Sequence, residues 1–216
     1  MSTCSRHFER DTGNKLPLFS LNFLTNISIN MQCFISILRG INVGGQRIIK
    51  MEELKSLYSD LGFLGCQSYI QSGNVVFCSS EENAKNLESL ISMEIANRFN
   101  LKVPVIVLKT EELNEIISNN PFLGDPSSGD THLHITFLSD IPEMELAGKI
   151  SQSSFLPDRF HIRGKTMYLC CPNGYGNTKF NNTFIENKLK VTATTRNWRT
   201  TLELLRMAEK TATLTR

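Results

Sequence analysis

The sequence predicts an α+β fold of two ferredoxin-like (α-β plait) subdomains, with antiparallel or mixed sheets and helices packed on one face. Three observations carry that prediction. Apolar runs of strand and helix length follow the order β-α-β-β-α-β, and the order then nearly repeats. Two turn signals, Gln71–Asn74 and Gly164-Lys165, each join a pair of short strands. The chain has 216 residues, 40% apolar and 20% charged, which is ordinary for a globular protein with a sizeable core.

The first strand is the apolar run Phe34, Ile35, Ile37 and Leu38, which breaks into a loop holding Arg39, Gly40, Asn42, Gly44 and Gly45. A helix over Met51–Leu61 then aligns Met51, Leu54, Leu57, Tyr58 and Leu61 on one face, and Gly62 stops it. Cys66–Ile70 and Val75–Cys78 are strands about the Gln71–Asn74 turn. Glu82–Phe99 is a helix burying Leu87, Leu90, Ile91, Ile95 and Phe99. Val103–Leu108 is a strand, with Pro104 marking an edge or a strand start.

The second half opens with a linking helix, Glu111–Asn119, and a surface loop, Asp125–Asp130. His132–Leu138 is a strand, Pro142–Ser151 a short helix, and Phe160–Arg163 and Thr166–Cys171 are paired strands. Thr178–Leu189 is a helix burying Phe180, Phe184, Ile185 and Leu189. Val191–Thr195 stands in place of a clear last strand. A final helix from about Trp198 to Lys210 buries Trp198, Leu202, Leu205 and Ala208. The expected domains are therefore 31–109 and 110–216.

Residues 1–30 differ in composition from the rest and read as a poorly ordered leader. The apolar part, Leu16–Ile29, is too short and too polar to span a bilayer, and Glu9 and Asp11 spoil a signal peptide. Six cysteines occur without a C-x-x-C pair, which suits free thiols in a reducing, cytoplasmic setting. A net charge of +2 says nothing about nucleic acid or membranes.

The split topology has a functional consequence. The first strand's exit and the second-to-third turn lie at one end of the sheet, so Arg39, Asn42, Gln46, Arg47, Lys50, Gln71, Ser72 and Asn74 share a neighbourhood.

LRGINVGG at Leu38–Gly45, YIQSGNVVF at Tyr69–Phe77, PNG at Pro172–Gly174 and TTRNW at Thr194–Trp198 resemble a bacterial family known as domain of unknown function 1697. The likeness runs from about Met31 to Ala208, and Thr178-Lys179 keeps that family's Ser/Thr-Lys pair. The resemblance implies a pair of α-β plait subdomains and no activity.

Each candidate site has a plain structural alternative. Gly40–Gly45 lacks dinucleotide and Walker spacing, and its glycines suit either a tight turn or a ligand-facing loop. Asn173 and Gly174 lead toward a helix with Thr178 and Lys179 in its first turn. Free N–H groups there favour an anion, and a lysine is unfavourable without one; the alternative is an Asn-Gly turn with a solvated lysine. Arg196 and Arg199 flank Asn197, an N-cap residue. From Thr178 onward eight Lys or Arg face three Glu. His132 and His134 share a strand face without a third metal ligand, and no nucleophile has a visible base.

The leading reading is a binding module for a phosphate-bearing ligand, a nucleotide or nucleic acid. The second is an enzyme acting on a phosphorylated small molecule, with Lys179, Arg39 and Arg196 stabilising charge. The third is a structural or interaction protein. No pattern names a cofactor or points to a membrane.

Overall fold

Strand β1 (Gln32–Leu38) is buried at every position after Gln32. A strand apolar on both sides of its pleat needs cover on both faces, and the fold supplies it. The computed structural model describes residues 31–125 and 129–215. The leader expected over residues 1–30, and the middle of the Asp125–Asp130 loop, lie outside the described residues.

The first subdomain continues with α1 (Met51–Asp60), β2 (Leu64–Tyr69), β3 (Asn74–Ser79), α2 (Ala84–Phe99) and β4 (Val105–Lys109). After α3 (Thr110–Ser118), the second comprises β5 (Leu133–Leu138), α4 (Met144–Gly148), β6 (Arg159–Arg163), β7 (Thr166–Cys170), α5 (Asn182–Leu189) and β8 (Ala193–Asn197). Helix α6 (Trp198–Leu214) ends the described chain. The sheets have orders β2-β3-β1-β4 and β6-β7-β5-β8, antiparallel throughout. Each is the split β-α-β unit with its first strand inside, so the protein has two ferredoxin-like subdomains.

Three cores hold the layers. Phe34, Leu38 and Phe77 pack with Leu54, Leu57 and Tyr58 of α1 and with Leu87, Ile91 and Ile95 of α2. Met167, Leu169 and Leu138 pack with Phe180, Ile185 and Leu189 around α5. Between the sheets, Ile35, Ile37 and Val76 join Ile135, Phe137 and Tyr168, together with Leu113 of α3 and Trp198, Leu204 and Met207 of α6. Each sheet thus carries two helices on its outer face, and the inner faces enclose α3 and α6. No helix among the described residues is long and apolar enough to cross a membrane.

Several expected elements shift. The last strand of the second half is complete as β8, paired along β5 from Ala193 to Asn197. Its polar sequence hides it, because Thr194 and Arg196 are buried all the same, Arg196 against acceptors on the other subdomain. The helix expected from Thr178 begins at Asn182, capped by the Asn181 side chain on the Phe184 N–H (2.9 Å). A short 3-10 turn, Tyr175–Asn177, precedes it. In α6 the buried stripe is Trp198, Thr201, Leu204, Ala208 and Thr211, while Leu202 is 40% exposed. The threonines supply a narrow face on which α6 lies close to the first sheet.

The expectation of free thiols is corrected at one pair. Cys33 and Cys78 sit opposite each other in the β1–β3 register and form a disulfide. Their places on different strands, 45 residues apart, hid the pairing. Cys66 and Cys171 are free thiols, and Cys170 Sγ accepts from Arg159 Nη2 at 3.5 Å.

Candidate functional site

The loop after β1 is pinned to the β2–β3 turn by one side chain. Asn42, at φ 53°, accepts from the Ile49 N–H (2.9 Å) and donates to the carbonyls of Ile49 (2.9 Å) and Gln71 (2.8 Å). Val43–Gln46 closes a small hairpin, and Gly44 and Gly45 take φ of 59° and 73° at its exposed tip. That conformation suits glycine, and it is a reason for the two glycines independent of any ligand. The Leu38 N–H donates to the Gly73 carbonyl (2.8 Å), which holds the two segments at one sheet end.

Arg196 reaches this junction from β8. Its Nε donates to Asn74 Oδ1. Nη1 donates to Thr194 Oγ1 and the Thr195 carbonyl (2.9 Å each), and Nη2 to the carbonyls of Leu38 (2.9 Å) and Ser72 (2.8 Å). All five guanidinium N–H groups therefore meet protein acceptors. Asn74, itself buried, donates onward to the Tyr69 carbonyl and Ser72 Oγ (3.1 Å each). Burial pulls the Arg196 pKa down to about 10; Arg39 pulls the same way and Tyr175 against it. The group is still a cation at neutral pH. Its charge reaches the surroundings while its N–H groups tie the subdomains together.

Arg39 makes the second tie. Its Nε and Nη2 meet the two Glu186 oxygens at 3.1 and 3.0 Å, a bidentate pair across the subdomains. Glu186 Oε1 also accepts from the Ala193 N–H (3.0 Å). The carboxylate is thus fully engaged.

A cleft of about 680 Å³ opens at this end, lined by Arg39, Gly40, Ile41, Val43, Gln46, Arg47, Ser72, Lys102, Pro104, Tyr175, Asn182, Glu186, Thr194, Thr195 and Arg196. Four basic side chains face one carboxylate there. Arg47 and Lys102 form no ion pair among the described residues. One wall is a polar chain in which Thr195 Oγ1 meets Thr136 Oγ1 (2.8 Å) and donates to Asn182 Oδ1 (2.7 Å). Burial pushes the Tyr175 hydroxyl pKa up, with Thr195, Arg39 and Arg196 pulling it back.

Of the residues expected from sequence, Arg39, Gln46, Arg47, Ser72 and Arg196 line this cleft. Asn42, Gln71 and Asn74 frame it from behind through the bonds above. Lys50 is exposed and pairs with Glu53 at 3.3 Å. Asn173 and Gly174 form the turn before Tyr175, where the Asn173 carbonyl accepts from Asn177 Nδ2 (2.7 Å) and Gly174 has φ 83°. Thr178 Oγ1 accepts from the Phe180 N–H (3.0 Å), and Lys179 is exposed beyond it. Lys179 therefore lies outside the first turn of α5 and off the cleft that Arg196 lines, which corrects the expected placement. Asn197 caps α6 through the Thr200 N–H (2.8 Å) and faces a second cleft.

Sequence reasoning missed Lys102, Glu186 and Tyr175 here. Lys102 had a topological signal: β4 runs antiparallel to β1, so its approach must pass the β1 exit, where the Pro104 carbonyl accepts from the Arg39 N–H (2.9 Å). Glu186 and Tyr175 come from the other subdomain, and no rule within one half places them.

The family described as "Protein of unknown function (DUF1697)" matches residues 31–168. A conserved bacterial protein, SP0830 from Streptococcus pneumoniae, has a solved structure that aligns with a TM-score of 0.61 at 23% identity. The alignment covers 82% of this chain and 99% of that one, and the likeness is one of fold. No curated protein matches the chain.

Proposed function

The chain belongs to the DUF1697 family of proteins of unknown function, and from that premise we propose that it binds a phosphate-bearing ligand in the basic cleft. One observation carries the reading. Among the described residues the one carboxylate lining the cleft, Glu186, is held by Arg39, so Arg47 and Lys102 present positive charge that no other described residue of the cleft neutralises. Arg196 adds a buried cation whose field is weakly screened. An anion with several oxygens matches such a lining, and Asn182, Thr195 and Tyr175 provide polar groups for orientation.

The test is thermal. A ligand that binds only the native state raises the melting temperature with its concentration. Phosphate, pyrophosphate and nucleotides should stabilise the protein beyond chloride at equal ionic strength. Charge-assisted bonds are worth about 1.5–3 kcal/mol each, so Arg47→Glu with Lys102→Glu should weaken binding at least tenfold. Equal melting temperatures in phosphate and chloride would remove the proposal.

A further inference from the structure

A second cleft, of about 780 Å³, lies against the first, and its chemistry differs. The two share their walls. Tyr69 lines one and Ser72 the other, and Asn74 bonds to both residues of that turn. The consecutive residues Asn197 and Arg196 line one each. Across from them the His134 and Tyr175 rings stack at 4.8 Å and 22°, one lining each cleft.

Where the first cleft is basic, the second is aromatic and nearly neutral. Trp198 and His134 are buried in its lining, Tyr69 is half-buried, and Leu202 stands 40% exposed on α6. Arg206 is engaged by both Glu203 oxygens, which cancels that pair. Arg199 and Asp130 leave one charge of each sign at the rim. The Asn197 oxygen is used by the α6 cap, and its amide N–H groups have no partner among the described residues. A slot with an aromatic side, an aliphatic side and a few donors and acceptors suits a flat heteroaromatic ring.

We propose that the two clefts form one bipartite site for a nucleotide, with its phosphate in the basic cleft and its base against Tyr69 and Leu202. This rests on the reading of the basic cleft as a phosphate site. Near-neutral charge in the second cleft favours a single base over a run of phosphates, which a nucleic-acid strand would need along its whole length.

Calorimetry on the full chain at fixed ionic strength tests this, with inorganic phosphate, a nucleoside, nucleoside mono- and diphosphates and a short single-stranded oligonucleotide. The nucleotide should bind at least tenfold more tightly than phosphate or nucleoside alone. Tyr69→Ala and Leu202→Asp should each bring it back toward phosphate affinity, leaving phosphate binding unchanged. Leu202 is exposed enough that its variant should fold even if the Tyr69 variant does not. Equal affinity for phosphate and nucleotide overturns the base site and leaves the basic cleft standing. Binding of none overturns both. An oligonucleotide that outbinds the nucleotide, with a steep salt dependence, overturns the bipartite site in favour of a strand-binding groove.

Discussion

A buried guanidinium facing only neutral acceptors is stable because every N–H has a partner, and it fails if one class of donor is lost. Arg196→Lys keeps the charge but offers three donors on a flexible stem, which cannot span Asn74, Leu38 and Ser72 together. We expect it to lower unfolding free energy by about 2–4 kcal/mol, and Arg196→Met by a similar amount, from carbonyls left unpaired in the interior. Urea denaturation measures both. A loss under 1 kcal/mol for the methionine variant would show that the fork does not hold the junction. This residue was legible as an unusual arginine but not as a strut, because three of its five acceptors, Asn74, Ser72 and Leu38, lie 122 to 158 positions earlier in the chain. His134 gives a pH dependence with a definite sign. Burial lowers its pKa below the ordinary 6.5, the His132 carbonyl working against that and His132 itself adding to it. Between the lowered folded value and 6.5 the unfolded chain binds more protons, so stability falls as pH drops below about 6.5 and levels off once the folded ring protonates. Glu81 and Glu203, both lowered by hydrogen bonds, act in a separate window below 4.5. Melting temperatures from pH 7.5 to 5.5 should decline in the native protein and flatten in His134→Gln.

At the scale of the element, the turns show which glycines position the site. Gly73 has φ 75°, and an added Cβ would lie 2.7 Å from Leu38 Cβ and 2.8 Å from Ile41 Cδ1. Gly44, at φ 59°, would meet nothing within 4 Å. Gly44→Ala should therefore cost only the left-handed penalty, about 1–2 kcal/mol. Gly73→Ala adds a clash with side chains that are themselves buried, and should cost at least about 1 kcal/mol more. It should also loosen the turn whose carbonyls hold Arg196 and Asn42. Chemical denaturation of the two variants checks the order; equal losses would mean the turn yields freely. Such turns were legible in the sequence, since Gln71-Ser72-Gly73-Asn74 between apolar runs leaves few alternatives. Helix phase was legible where large side chains mark it, as in α1 with Leu54, Leu57 and Tyr58. It was not legible in α6, where the buried face includes Thr201 and Thr211. Those residues carry no hydropathy signal, and the burial of Thr211 follows from Gly65 and Gln67 on β2, which take its side chain at close range.

For the whole molecule, the order of elements was readable as two split units, and the way the units meet was not. Each unit has a complete outer core, and the apolar inner face of its sheet requires a cover without naming which element supplies it. The joint is built by parts whose partners lie across the chain: Arg39 on Glu186, Arg196 on the β1 exit, and above all α6. That helix follows the second unit in sequence, yet it packs on β1 and β3 of the first as well as on β5 and β8. Trp198, Leu204 and Met207 are buried between the sheets with Ile35, Ile37 and Ile135. Burying each such side chain is worth about 1.5–3 kcal/mol, so these three alone approach the roughly 5–15 kcal/mol by which a domain is stable. Ending the chain after Asn197 would also strip cover from the inner face of both sheets, whose central strands present Ile35, Ile37, Val76, Ile135, Phe137 and Tyr168 on that side. We therefore expect the shortened chain to lose cooperative unfolding altogether, while Leu202→Asp, on the exposed side of the same helix, keeps it. Near- and far-ultraviolet circular dichroism during denaturation distinguishes the cases. A shortened chain that still melts in one sharp transition would mean that the two units stand independently and that the cleft between them is not held by the core.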